Sequence, residues 1–198
     1  MIINIILFNN FETLDVFGPV EIFGKLPDVN IKYYSEHGGV VSNTDNVRIE
    51  TESINSIGNL DHNVLFVPGG MGTRVEINNQ ILIEQIKFLA QRSEYVLTVC
   101  TGSALLAKTG LIDELRATSN KRSFDWVRNS NTNVHWVDKA RWVVDQKFYT
   151  SSGVSAGIDM ALGFVSDRFG KNIADQIAKR IEYKWNGDKE NDEYSTFK

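Results

Sequence analysis

The stretch that most restricts how this chain can fold is Tyr95-Val-Leu-Thr-Val-Cys100-Thr-Gly-Ser-Ala-Leu-Leu-Ala-Lys-Thr-Gly110. An apolar run rich in β-branched residues stops at the only cysteine. Small residues turn the chain, and helical spacing follows at once. Strand, tight turn and helix, with a nucleophile-capable side chain at the turn, is the form of a nucleophile elbow, which stands on the carboxyl edge of a parallel sheet. The new helix directs its free N–H groups and positive dipole end at the side chain, which favours thiolate over thiol. Spacing alone leaves two readings open, a catalytic thiol and a buried cysteine acting as a small apolar filler.

The flanking sequence supplies such a sheet. Residues 2–8 form a near-continuous apolar run, as in a strand covered on both faces. Strands are also expected at 29–35 and 63–67, with a short one at 116–119. Residues 40–42 and 46–50 read as a hairpin around Asn43-Thr44-Asp45. Residues 134–137, 140–145 and 148–151 suggest two or three more strands, with a tight turn at Asp145-Gln146. Residues 54–57 suggest a short turn or helix. Helical spacing is found at 81–91, 123–128 and 171–185, and at 155–169, capped by Ser155 and stopped by Gly170. Residues 14–23 are also helically spaced, but Gly18-Pro19 interrupts them. Proline is best tolerated in a first turn, so the regular helix is expected to begin near Gly18, with Asp15 on the loop before it. Strands alternating with helices imply parallel β-α-β units in a three-layer α/β/α sandwich, flavodoxin-like, with a mostly parallel sheet. With 198 residues, 42% of them hydrophobic, one domain over 1–186 is expected, followed by a polar tail at 187–198 that can fray.

In open α/β sheets, ligands sit beyond the carboxyl ends of the strands. Asp15, the Pro68-Gly69-Gly70 turn and Cys100 all fall there. Gly70 can present an N–H to the cleft, and Thr101, the residue after the nucleophile, can present a second; beside a thiol these are candidate oxyanion donors. Asp15 can hydrogen-bond the thiol and move a proton, an arrangement that works best if the pair shares one proton. An ordinary β-α turn and a solvated aspartate at a helix start are the plain alternatives. Of the three histidines, neither His37 nor His62 is clearly aimed at the elbow and His135 begins a late strand, so a Cys-His dyad is weakly supported. No zinc spacing, phosphate loop or dinucleotide fingerprint is present, so neither metal nor cofactor is expected. Gly72-Thr73-Arg74 is a weak anion signal. A net charge of −4 without a basic stripe argues against nucleic acid. No run reaches membrane-span length, and the N-terminus reads as a strand and not a signal peptide. One cysteine suits a reducing, cytoplasmic setting.

Four motifs in order, Asp15-Val-Phe-Gly-Pro-Val-Glu-Ile-Phe23, Val67-Pro-Gly-Gly70, Val99-Cys-Thr-Gly-Ser103 and Gly153-Val-Ser-Ala-Gly-Ile-Asp159, resemble the ThiJ/PfpI superfamily, whose fold is like that of class I glutamine amidotransferases. Cys-Thr-Gly and the early Asp-x-x-Gly-Pro are similar to its isonitrile hydratase branch, and to the sensor half of AraC-type regulators. The resemblance implies a small-molecule substrate, a homodimer and no cofactor. Cys100 would be the nucleophile, Asp15 the general acid/base, and Gly70 and Thr101 the backbone donors. Attack on the terminal isonitrile carbon would give a thioimidate, and water would release an N-substituted formamide. A redox or small-molecule sensor without turnover, or a deglycase- or glyoxalase-like activity, are the alternatives within the superfamily. Deglycase and peptidase branches typically carry a glutamate in the first helix region, and the peptidases a histidine after the nucleophile, where this chain has Asp15 and Thr101. The chain also has Ser119-Asn120-Lys121-Arg122 where hydratase-like relatives carry a histidine and a tryptophan. A regulator is disfavoured because only 13 residues follow residue 185.

Overall fold

The computed structural model describes residues 1–58 and 62–196. In chain order the elements are β1 (Ile2–Ile6), α1 (Thr13–Phe23), β2 (Asn30–Ser35), β3 (Gly39–Ser42), β4 (Arg48–Ser53), β5 (Asn63–Val67), α2 (Thr73–Glu76), α3 (Gln80–Arg92), β6 (Tyr95–Thr98), α4 (Gly102–Lys108), β7 (Arg116–Ala117), α5 (Phe124–Ser130), β8 (His135–Trp136), β9 (Trp142–Asp145), β10 (Phe148–Ser151), α6 (Ser155–Phe169) and α7 (Lys171–Arg180). Eight strands form one sheet in the order β3-β4-β2-β1-β5-β6-β10-β9. From β4 to β10 every pairing is parallel, and the edge strands β3 and β9 run antiparallel to their neighbours. β7 and β8 pair separately. This is the α/β architecture expected from the alternating pattern.

The central parallel strands are apolar because both faces are covered. Ile3, Ile5 and Ile6 of β1 and all five residues of β5 are buried. Helices α1, α6 and α7 pack together as one layer, and α2 to α5 as the other. Phe23 of α1, Phe66 of β5 and Phe164 of α6 meet edge to face across the first layer, a favourable aromatic geometry. α6 also lies tightly on the elbow. A Cβ added at Gly157 would stand 2.7 Å from Val99 Cγ1, so only glycine lets the helix come this close.

Three expectations need correction. Helix α1 begins at Thr13, not near Gly18, and carries Pro19 inside it. Burial of Val16, Ile22 and Phe23, and the seating of Gly18 on Ile158, hold the helix through the proline. Asp15 is therefore in the first turn of a helix. Second, Ser155 does not cap α6 but is its first residue. Val154 holds the cap position, at φ 47°, with no side-chain cap. Third, α7 ends at Arg180. The chain turns at Glu182, where φ is 55°, and Asp159 draws it back. Asp159 accepts from Trp185 Nε1 on its backbone oxygen and from Asn186 N–H on its carboxylate.

The stretch expected to fray is pinned through residue 192. Lys189 C=O accepts from Arg141 N–H at 2.8 Å. Arg141, buried, donates to Asp159 at 2.6 Å and to the equally buried Asp192 at 3.3 Å. Residues 197–198 lie outside the described residues. A buried cation between two buried carboxylates costs little while complete and much when one member is removed. Arg141→Met is therefore expected to destabilise the fold by roughly 3–5 kcal/mol in urea unfolding at pH 7. Adding Asp192→Asn should recover part of that loss; no recovery would mean that the charges are not the cause.

Candidate active site

The elbow is built by backbone before any side chain enters. Val99 N–H donates to Val67 C=O, extending the β5–β6 ladder by one residue. The chain then reverses at Cys100, whose φ is 56°. A non-glycine residue in the left-handed region is costly and persists only where its surroundings enforce it. Here they do. Cys100 N–H donates to Ser152 C=O at 3.1 Å, and its own C=O accepts from the Ser103 and Ser119 hydroxyls at 3.0 and 2.8 Å. These bonds fix the thiol at the start of α4, with 7% of the residue exposed.

Asp15 arrives from α1, fully buried. Its Oδ2 accepts from Gly69 N–H at 2.9 Å. A side chain at Gly69 would collide with that oxygen and with Thr101 N, so the close approach requires glycine. Oδ1 has no hydrogen-bond partner among the described residues, although the Cys100 thiol and the Val154 N–H lie near enough to lower the carboxyl pKa. Buried polar atoms are nearly always paired. An unpaired carboxyl oxygen beside a sulfur is the place where a proton can reside.

The electrostatics agree. Burial pushes Asp15 up to about 7, with Gly69 N–H pulling against it and nearby Glu12 pushing further up. Cys100 is pushed well above the usual thiol range, first by burial and then by Asp15, while Thr101 N–H and hydroxyl pull down. The expectation that the helix start would favour thiolate is thus overturned at rest. α4 is short, and loss of water outweighs its dipole. Arg74, stacked 3.6 Å over the Trp126 ring and bonded to Ser123, is a cation within electrostatic reach of Cys100.

The structure therefore brings Asp15, Cys100, Gly69 and Thr101 together. Gly70, at φ 124°, turns its N–H onto Thr101 Oγ1 at 3.1 Å rather than into the cleft. Thr73 Oγ1 completes that knot at 3.0 Å. The histidines stand apart, each at the surface beside a glutamate: His37 with Glu36, His62 with Glu94, His135 with Glu114. Among the described residues, no group of three or more His, Cys, Asp or Glu is placed to hold a metal, and no helix is long and apolar enough to cross a membrane. Sequence reasoning did not give Ser119 and Ser152 their hold on the Cys100 backbone, nor Val154 its approach to Asp15. Val154 and Ser152 lie in and beside the motif beginning at Gly153, but a β-branched residue at positive φ leaves no mark in a sequence.

A cavity of about 580 Å³ lies between residues 120–122 and 152–155; Ser152 and Val154 are in its lining, and neither Cys100 nor Asp15 is. Its second wall is the stretch that holds Cys100 N–H and approaches Asp15.

Comparison with known proteins agrees with this fold. Isonitrile hydratase of Pseudomonas putida is 29% identical over 182 residues, covering 91% of this chain and 78% of that protein. The structure of a ThiJ/PfpI family protein from Pseudomonas syringae superposes with a TM-score of 0.81 at 25% identity, covering 93% of this chain and 76% of its own. Drosophila melanogaster DJ-1beta has the same fold, with a TM-score of 0.79 at 19% identity over 93% of this chain and 98% of its own. The model of the DJ-1/PfpI family matches residues 1–167, and the chain belongs to that family.

Proposed function

We propose that this chain is a cysteine-dependent lyase that adds water to an isonitrile, giving an N-substituted formamide. The observation that carries this reading is the unpaired, fully buried Asp15 Oδ1 beside the Cys100 thiol. An isonitrile carbon needs a nucleophile and a proton on the same atom, and this pair holds both. The similarity to isonitrile hydratase supports the substrate class.

The steps balance with one shuttled proton. Asp15 carboxylate takes the thiol proton, and the Cys100 sulfur bonds to the terminal carbon. Asp15 returns the proton to that carbon, leaving a thioimidate. Water then adds to the carbon, with one of its protons passing through Asp15 to the nitrogen. The hydroxyl proton finally moves to the sulfur as the C–S bond breaks, and the formamide leaves. Thr101 N–H, close enough to lower the thiol pKa, opposes charge developing on the sulfur. Gly70 acts through Thr101 Oγ1 by holding that residue in place. The reaction suits a reducing, cytoplasmic setting, which keeps the single thiol intact.

A redox-sensing role rests on an exposed, low-pKa thiol. Cys100 is buried and its pKa is raised, which weighs against ready oxidation, while attack on a substrate is served by passing the thiol proton to the adjacent Asp15.

With cyclohexyl isocyanide, Cys100→Ala should lose formamide production entirely. Asp15→Asn should lose about 10²–10⁴-fold. Full activity in either variant, read by chromatography of the formamide, rules the mechanism out. The pair is competent with one proton bound, so kcat/KM should rise with pH through about 7, where Asp15 ionises, level off, and fall in the alkaline range as the raised thiol ionises. A flat profile from pH 5.5 to 8.5 contradicts the shared-proton state.

The same carboxyl links pH to stability. Its folded pKa, about 7, lies above the ordinary 3.8. The folded state therefore binds the extra proton between those values, and stability falls as pH rises through that window. Asp15→Asn removes the penalty and should stabilise the fold by roughly 2–4 kcal/mol at pH 8 but not at pH 3.5. Equal effects at both pH values in denaturant unfolding would refute the burial argument.

A further inference from the structure

We propose that the cavity between residues 120–122 and 152–155 is an anion-recognising pocket, so that the substrate carries a carboxylate, or an anion of that size, held by Lys121 and Arg122 at the far end from its reactive carbon. The inference rests on the reading of Cys100 as the nucleophile and adds the substrate class.

The cavity wall contains two cations and no acidic side chain. Arg122 is exposed and has no hydrogen bond or ion pair among the described residues. Lys121 Nζ donates to Thr118 Oγ1 at 2.8 Å and to Ala140 C=O at 2.7 Å. An ammonium has three N–H bonds; the third has no hydrogen-bond acceptor among the described residues, and the Phe124 ring lies 5.2 Å from Nζ. Burial pulls Lys121 down to about 8, with Asp192 and Asp138 facing it and raising it, and Arg141 lowering it. Asp192 is already committed to Arg141. A half-buried ammonium gains from an anion placed next to it.

Asn120 adds a neutral donor. A Cβ on Gly153 would stand 2.0 Å from its Nδ2, so glycine at 153 admits the amide into the wall. Val154 and Tyr194 line the remainder, offering apolar surface to a short hydrocarbon spacer. Glu12 opposes an anion near Cys100, but it does not line the cavity. Ser152, which lines the cavity, accepts from Cys100 N–H and ties this wall to the thiol, so the proposed substrate places its reactive group at Cys100, a short apolar body along the wall, and a negative end at 121–122.

With a single cysteine in the chain, alkylation reads Cys100 alone. The sulfur displaces iodide from iodoacetate (anionic) or iodoacetamide (neutral), forming an S–C bond as iodide leaves. The ratio of the two rates in the native protein, divided by the same ratio in the urea-unfolded chain, measures charge preference without any turnover. The expected value is about tenfold in favour of iodoacetate, the scale of one screened charge pair. It should fall towards one in Lys121→Met and in Arg122→Gln and persist in Lys121→Arg; Arg122, being exposed, keeps the test decisive if Lys121→Met fails to fold. As a second arm, Cys100→Ser protein is titrated with N-formylglycine and with N-formylglycinamide, following the amide resonances of residues 152–155. Tighter binding of the carboxylate supports the pocket, and decides the matter if Cys100 resists both reagents. A native ratio near one together with equal or absent binding overturns the proposal. Charge preference without turnover of either cyclohexyl isocyanide or isocyanoacetate would sink the hydratase reading and leave the anion pocket standing.

Discussion

A carboxyl group taken out of water is the constraint around which this molecule is arranged. Asp15 is costly to bury, and every nearby element reflects that cost. Gly69 lacks a side chain so that its N–H can reach Oδ2. α1 continues through Pro19 so that its first turn stays over the sheet edge. The carboxyl answers burial by keeping a proton near neutral pH, and that proton is what makes the adjacent thiol chemically useful. Stability and reactivity pull in opposite directions at this residue.

Two of the nine non-glycine residues at positive φ among the described residues fall at the same place. Cys100 and Val154 both have positive φ, and neither is a glycine. Cys100 is locked by three hydrogen bonds to its backbone. Val154 follows Gly153, over which the Asn120 side chain folds. Strained residues of this kind persist where the surrounding structure over-determines them. In this fold the enforcement comes from the loops after β6 and β10, which are parallel neighbours in the sheet.

Much of this was legible in the sequence, and the reasons separate cleanly. The period of the apolar residues exposed β1, β5, β6 and the hairpin of β3 and β4, because a strand covered on both faces or bounded by turn residues has a local signature. The elbow was legible because Cys100 ends one such strand. What escaped depended on distant partners. The rule for proline predicted a later start for α1, but packing against Ile158 prevailed. Ser155 looked like a cap, yet Val154 takes that position and Ser155 Oγ accepts instead from Arg141. The Arg141–Asp192 pair joins residues 51 apart, and no local pattern announces it. The thiolate expectation failed because a helix dipole is a local feature, whereas desolvation belongs to the whole pocket.

The Gly69 N–H and the Val154 N–H reach Asp15 from loops that follow β5 and β10, strands on opposite flanks of β6. One small side chain on a helix thus bridges both halves of the sheet. Its affinity for a proton depends on how closely those halves approach: drawing away the Gly69 donor or the nearby Val154 N–H would remove a pull against the proton and tighten its hold. The carboxyl is in that sense a gauge of sheet separation, reading a mechanical displacement out as acidity.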